Sequence, residues 1–165
     1  MLNTTRSLII TIALLALGYA YAAAHSDDHN NQVIQATNLM LLSEEVTSST
    51  RPILLLISRK GCPHCILLKN EILHPMLISG EYAEKIIIRE IIINTGSMLI
   101  DFNGKKTHAS NLADSYNIKV TPTLLFLGPK GEELVDRIVG INTIELFSYY
   151  VDQAIDRAIL NFKSP

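Results

Sequence analysis

The chain has two cysteines, Cys62 and Cys65, which are separated only by Pro63 and His64. A pair at this spacing can form a disulfide, exchange that disulfide with another protein, or supply two ligands to a metal site. As a structural crosslink so short a ring would contribute little, because the entropic gain from closing a loop grows with loop length. We therefore expect the pair to serve chemistry rather than stability.

The position of the pair along the chain favours an ionised sulfur. The apolar run 53–57 predicts a buried strand just before it, and Pro63 suits the first turn of a helix just after it. Unpaired N–H groups and the positive end of the helix dipole would then stabilise a thiolate at Cys62. Such settings lower the pKa of a cysteine below about 8.5, and His64 could add a positive charge or a donor. Cys65, one turn further, could attack a mixed disulfide at Cys62.

Metal binding is the main alternative interpretation of two cysteines at this spacing. A zinc site needs two more ligands, and the chain has no second cysteine pair. His64, His74 and His108 do not form a pair with ligand spacing. Haem attachment needs a histidine directly after the second cysteine, where Ile66 stands. We expect no metal in this site.

Periodicity and turn residues predict the surrounding elements. Pro75 is expected to kink or end the helix that carries the cysteines. Asn103-Gly104 is a strong hairpin signal, and Asn142 with Glu145 resembles a capping box. The predicted elements are a helix 31–46, a loop 47–52, a strand 53–57, a helix from 62 to about 73, a strand 86–93, a hairpin around 98–107, a helix 109–116, a strand 123–127, a turn 128–131, a strand 132–139 and a helix to about 161. This order predicts an α/β fold with a mixed central sheet, helices on both faces and a short hairpin insert.

Residues 1–24 have the pattern of a cleavable secretory signal peptide. Arg6 precedes an apolar stretch at 8–17, and small residues at 20–24 offer cleavage points. An uncleaved membrane anchor is the alternative, but the stretch is shorter than the roughly 20 residues that span a bilayer. We predict an exported, periplasmic protein, in which a polar leader and a helix occupy 25–49 and a single domain occupies 50–163.

A second motif makes the interpretation more specific. Thr121-Pro122-Thr123 directly precedes the apolar strand 123–127, and a hairpin ending at Gly140 follows. Together with Cys62-Pro63-His64-Cys65, these residues resemble the thioredoxin superfamily over about residues 50–160. The resemblance implies a thioredoxin fold and a cis bond before Pro122, which would lie against the cysteine pair.

The resemblance also assigns roles to these residues. Cys62 would be the attacking thiol and Cys65 the resolving one, while Pro63 and His64 tune the pair. Thr121 and Pro122 would shape substrate docking, with the backbone of Thr121 bonding an extended segment. No cofactor is implied beyond the redox-active disulfide Cys62–Cys65.

Within the superfamily, the chain is most similar to exported thioredoxin-related, SoxW-like proteins. Cys-Pro-His-Cys matches the periplasmic oxidase DsbA, but the 56 residues at 66–121 leave no room for its helical insertion. We therefore expect an exported thiol:disulfide oxidoreductase acting on exported protein thiols and disulfides, with the direction of electron flow open. The alternatives are a dedicated reductase fed by a membrane electron donor, and a non-enzymatic metal-binding or copper-delivery protein using the cysteine pair or His25. A net charge of −2 gives no sign of nucleic-acid binding, and we expect a monomer.

The sequence departs from the thioredoxin pattern at two places. Leu56 stands where thioredoxins commonly keep a buried acid that helps to deprotonate the second cysteine. Glu90 could replace that acid if its side chain points inward; otherwise it is an ordinary charge at a strand end. The usual tryptophan before the cysteines is absent, with Gly61 nearby instead. Lys60 could favour the Cys62 thiolate or guide acidic partners, or could be a solvated loop charge.

Overall fold

The computed structural model describes residues 32–163, so the predicted signal peptide and most of the polar leader lie outside the described residues. Residues 33–163 form one compact unit. Its strands are β1 (Ile53–Ser58), β2 (Ile87–Ile92), β3 (Met98–Ile100), β4 (Lys106–His108), β5 (Thr123–Leu127) and β6 (Ile138–Val139). Its α-helices are α1 (Leu39–Ser49), α2 (Pro63–Leu68), α3 (His74–Ser79), α4 (Ala109–Ser115) and α5 (Ile144–Lys163).

The central sheet has the strand order β2-β1-β5-β6. Strand β1 pairs parallel with β2 and antiparallel with β5, and β5 pairs antiparallel with β6. The sheet is therefore mixed, and helices cover both faces, as the order of the predicted elements indicated.

Every residue of β1 is buried, because side chains from both faces of the sheet enter a core. Leu54 and Leu56 face one core, formed with α2, α3 and α5. Ile53 and Leu55 face the other, formed with α1 and α4. The cysteine-bearing helix thus lies on the same side of the sheet as α5.

The prediction of a helix beginning near residue 31 is wrong. Residues 34–38 are extended: the N–H of Ala36 donates to the carbonyl of Glu90 at 2.8 Å, and the N–H of Glu90 donates to Ile34 at 2.9 Å. Helix α1 begins only at Leu39, because the side chain of Asn38 accepts the N–H of Leu41 and caps it. It continues to Ser49, into the stretch predicted as loop.

Pro75 does not end the helix. A π-helical turn at Lys69–Leu73 follows α2, and α3 carries the helical path to Ser79. Proline cannot donate to the preceding turn, so the local change to wider helical geometry accommodates it without a break. Gly80, with φ of 71°, ends the helix in the left-handed conformation.

The hairpin predicted at Asn103-Gly104 is present, with β3 and β4 antiparallel. The hairpin after β5 is also present, but its second strand is shorter than the predicted 132–139. Glu133 forms only an isolated bridge to Leu127, and the regular strand β6 covers two residues. Between them Arg137 turns its guanidinium to the carbonyl of Tyr116.

Two tyrosines donate short hydrogen bonds and make the stability dependent on alkaline pH. Tyr82 donates to Asp152 and Tyr116 to the carbonyl of Gly131, both at 2.6 Å. Burial, followed by nearby carboxylates, raises the pKa of each to about 12. The unfolded chain releases these protons near pH 10, whereas the folded chain holds them, so the free energy of unfolding should fall as the pH rises from about 10 to 12.

Urea denaturation between pH 9 and pH 12 tests this expectation (~3 pH units around the phenol range). The Tyr82→Phe/Tyr116→Phe double variant should show a flatter decline than the wild type. The exposed Tyr149 provides a control, since Tyr149→Phe should leave the slope unchanged. Equal slopes for the wild type and the double variant would contradict the assignment.

None of the helices within 32–163 is long and apolar enough to cross a membrane.

Candidate active site

The cysteine pair lies at the N-terminus of α2. Cys62 and Cys65 form a disulfide with their Cα atoms 5.2 Å apart. Cys62 is the N-cap residue, and its Sγ accepts a hydrogen bond from the N–H of Cys65 at 3.2 Å. Pro63 occupies the first helical turn, as predicted, where no N–H is needed. One of the first backbone donors of the helix, the N–H of Cys65, thus points at the sulfur of Cys62, and the positive end of the helix favours negative charge there.

The two sulfurs differ in access. Cys65 is only 2% exposed, whereas Cys62 is partly exposed, and His64 lies between them on the surface. An approaching protein thiol or disulfide can therefore reach Cys62 and not Cys65. The attacking role of Cys62 and the resolving role of Cys65 that the resemblance implied remain predictions.

A tight turn delivers the chain from β1 to Cys62. The N–H of Cys62 donates to the carbonyl of Arg59 at 3.2 Å, and Gly61 has φ of 79°. A positive φ at the third position is the mark of a type II turn, so glycine is required there. The side chain of Asn94 bonds the second residue, Lys60, twice: Oδ1 accepts its N–H at 2.7 Å and Nδ2 donates to its carbonyl at 3.2 Å.

The segment before β5 lies against the disulfide. The Thr121–Pro122 peptide bond is cis, as the resemblance implied. The carbonyl oxygen and the Oγ1 of Thr121 each lie 3.8 Å from the Sγ of Cys62. The carbonyl of Pro122 accepts the N–H of Gly140 at 2.8 Å, whereas no backbone–backbone hydrogen bond within residues 32–163 uses the N–H or C=O of Thr121. Neither group is therefore tied to another backbone group in the described residues, and the carbonyl oxygen faces the Sγ of Cys62.

Glu90 points inward, on the face of the sheet that α2 covers. It lies opposite Leu56 in the β1–β2 pair and is only 3% exposed. Ser58 Oγ donates to its Oε1 at 2.6 Å, and Lys69 Nζ lies 3.0 Å from the same oxygen. Lys69 comes one turn after Cys65 on the same helical face, so the buried carboxylate lies beneath the segment that carries the resolving cysteine.

Sequence reasoning raised Glu90 but missed Lys69 and Asn94. The spacing of four residues between Cys65 and Lys69 was a usable signal, because it places both on one helix face. Asn94 gave no comparable signal, since its partner is a backbone and lies 34 residues earlier. Within residues 32–163, no group of three His, Cys, Asp or Glu side chains is arranged to hold a metal ion.

The sheet order, the helices on both faces and the disulfide at the helix start define the thioredoxin fold. The family model for the thioredoxin-like domain matches residues 43–155, which is more than half of the chain. The chain belongs to that family.

Similar solved structures share the fold at low sequence identity. The DsbH oxidoreductase is 16% identical, with a TM-score of 0.55 and coverage of 80% of this chain and 91% of that one. Mitochondrial thioredoxin 3 from Saccharomyces cerevisiae, in its oxidised form, is 14% identical, with a TM-score of 0.51 and coverage of 75% and 93%. Thioredoxin O2 from Arabidopsis thaliana, also oxidised, is 16% identical, with a TM-score of 0.50 and coverage of 74% and 94%. A comparison with curated proteins gave no match.

Proposed function

We propose that this protein is an exported thiol:disulfide oxidoreductase that exchanges disulfides with other proteins through Cys62 and Cys65. The observation that carries the proposal is the disulfide itself, whose accessible sulfur caps a helix and accepts the N–H of Cys65 at 3.2 Å. A structural crosslink would have no need of an accessible sulfur that accepts a backbone N–H. A stabilised Cys62 thiolate is also the better leaving group when a second substrate thiolate attacks the substrate sulfur of the mixed disulfide.

When the protein reduces a substrate disulfide, the exchange proceeds in two steps. The Cys62 thiolate attacks one substrate sulfur, forms a mixed disulfide and releases the other substrate sulfur as a thiolate. Cys65 loses its proton and attacks the Sγ of Cys62, which closes the Cys62–Cys65 disulfide and releases the second substrate thiolate. The two protein sulfurs give up two electrons, and the two substrate sulfurs take them up. The reverse sequence oxidises a substrate dithiol.

The substrate segment docks beside the disulfide at Thr121 and Pro122. The N–H and C=O of Thr121, which no backbone group within residues 32–163 bonds, support this, because an extended chain can bond them in the manner of an added strand. Because the carbonyl oxygen of Thr121 lies 3.8 Å from the Sγ of Cys62, a segment bonded to Thr121 would place its cysteine next to that sulfur. His64, exposed between the cysteines, tunes the potential of the pair.

Glu90 accepts the proton of Cys65 in the resolving step. Its burial on the face that α2 covers and its contact with Lys69, one turn after the buried Cys65, support this role. Leu56 cannot supply that group. Proton transfer by a positioned carboxylate is an ordinary form of general base catalysis.

The signal-peptide pattern supports a periplasmic location and, with it, exported protein thiols and disulfides as partners. We expect the enzyme to act as a monomer. A dedicated reductase fed by a membrane redox partner differs from a general oxidase only in the direction of electron flow. The copper-delivery alternative depends partly on His25, which lies outside the described residues.

Equilibration with reduced and oxidised glutathione tests the function. We expect the wild-type protein to interconvert fully between dithiol and disulfide, because a bond reached through Cys62 is open to attack. Alkylation followed by mass spectrometry gives the reduced fraction of the protein and hence its reduction potential. That potential, together with the redox state of the protein in cells, also decides the direction of electron flow. A pair that stays oxidised across the whole glutathione range and transfers nothing to a peptide dithiol would contradict the proposal.

A further inference from the structure

The side chain of Asn94 extends the β1–β2 pairing beyond the last residue of each strand. The N–H of Ile93 donates to the carbonyl of Ser58 at 3.0 Å, which continues the backbone pairing past β2. Two positions further along the first strand, both polar groups of the Lys60 backbone are bonded by the amide of Asn94 instead of by a backbone. One side chain thus takes the place of the next pair of ladder hydrogen bonds.

The residue held in this way is the second residue of the turn that ends at Cys62. A flexible turn would let the sulfur of Cys62 leave the N-cap position, where it meets the N–H of Cys65. In the oxidised protein the disulfide fixes that position covalently. In the reduced protein, only non-covalent contacts remain to hold Cys62 in place. On its N-terminal side these are its own bond to the carbonyl of Arg59 within the turn and the two bonds by which Asn94 holds Lys60 from outside the turn.

We propose that Asn94 is a positioning residue that holds the reduced Cys62 as an N-capping thiolate. This inference rests on the proposed exchange function. Loss of the amide should weaken the reduced, ionised form more than the disulfide form. The equilibrium with glutathione should therefore move toward the protein disulfide, and reduced Cys62 should react more slowly with a small alkylating reagent.

The test compares Asn94→Ala and Asn94→Asp with matched changes at the neighbouring Thr95. Asn94→Asp keeps the shape of the side chain, but it loses the donor to the Lys60 carbonyl and places a carboxylate beside that oxygen. Thr95→Asp adds the same charge one residue away, and Thr95→Ala truncates a side chain that bonds only within its own turn. Both Thr95 variants should therefore behave like the wild type.

For Asn94→Ala we expect about a fivefold shift of the glutathione equilibrium toward disulfide, together with about a fivefold slower alkylation at a pH below the pKa of the wild-type thiol, where the rate follows the thiolate fraction. Ultraviolet titration of the thiolate should move upward in pH by a corresponding amount. Water can bond the exposed Lys60 backbone in the variant, which keeps the effect moderate.

The outcomes separate this inference from the proposed function. If the wild type exchanges with glutathione but both Asn94 variants match it, the positioning role is wrong and the function stands. The positioning role is equally wrong if Asn94→Asp matches Thr95→Asp, or if the Asn94 variants lose only thermal stability. Failure of the wild type to exchange would instead contradict the function itself.

Discussion

The Cys65→Ala variant is expected to accumulate covalent complexes with its partner proteins and to lose turnover. The accessible Cys62 can still attack, but the buried sulfur that would resolve the mixed disulfide is gone. Expressed in cells with the intact N-terminal segment, the variant should give thiol-sensitive bands of higher mass on non-reducing gels. Mass spectrometry of these bands would identify the partners.

Cys62→Ala is the matched control for this experiment. It removes the attacking sulfur, so it should form no complexes and should lower the exchange rate by at least about 1000-fold, as expected for loss of a nucleophile. If purified Cys65→Ala reacts with glutathione but no exported protein is ever captured in cells, the assignment of exported proteins as substrates is wrong. Complexes formed equally by both variants would contradict the division of roles between the two cysteines.

Lys69→Met is expected to lower the free energy of unfolding by about 3 kcal/mol, measured by urea denaturation of the oxidised protein. The change leaves the carboxylate of Glu90 buried without its cation, while Ser58 alone remains bonded to it. The side chain of Lys69 is 28% exposed, so water screens part of the interaction and the loss should lie at the lower end of the range for buried pairs.

Removing the charge of Glu90 should lower the free energy of unfolding less than removing the charge of Lys69. In Glu90→Gln the amide can still accept from Ser58, and the partly exposed Lys69 can turn toward solvent, so we expect a loss of about 1 kcal/mol. The Glu90→Leu/Lys69→Leu double variant should be more stable than Lys69→Met, because it leaves no uncompensated charge. Equal losses for Lys69→Met and Glu90→Gln would contradict this account of the pair.

The kinetics of the Glu90→Gln variant test the catalytic role of Glu90. In single-turnover mixing of the reduced protein with a disulfide peptide, Glu90→Gln should slow the resolving step by about 100-fold, which is the lower range for loss of a general base. The first step, attack by Cys62, should be unchanged. A variant that resolves as fast as the wild type would limit Glu90 to a structural role.

The sequence predicted the parts of the fold that local patterns control. Apart from Ser58 and Thr123, the residues of β1 and β5 are apolar because both faces of the central strands are covered, and such runs are recognisable without tertiary information. The hairpin at Asn103-Gly104 was predictable for a similar reason, since its turn residues favour that backbone conformation. The cysteine motif and Thr121-Pro122 supplied the rest of the superfamily resemblance, and the family match agrees with it.

Features that depend on distant partners were not predictable. Residues 34–38 are extended because they bond Glu90 on the edge of β2 and Ile100 in β3, which their own sequence does not reveal. Glu90 could be inward or outward from its pattern alone, and only the packing of α2 against the sheet gives it Ser58 and Lys69 as partners. The role of Asn94 depends on a backbone that no residue pattern identifies.

The extended segment 34–38 has a consequence for the solubility of the protein. Strand β2 ends the regular sheet on one side, and a bare edge of that kind is a template on which another chain can add a strand. By occupying part of that edge, the segment hides backbone donors and acceptors from other molecules. The opposite edge, β6, is only two residues long and offers little length for pairing. Both edges of the sheet therefore offer little free backbone to another chain, because one edge is partly covered and the other is short.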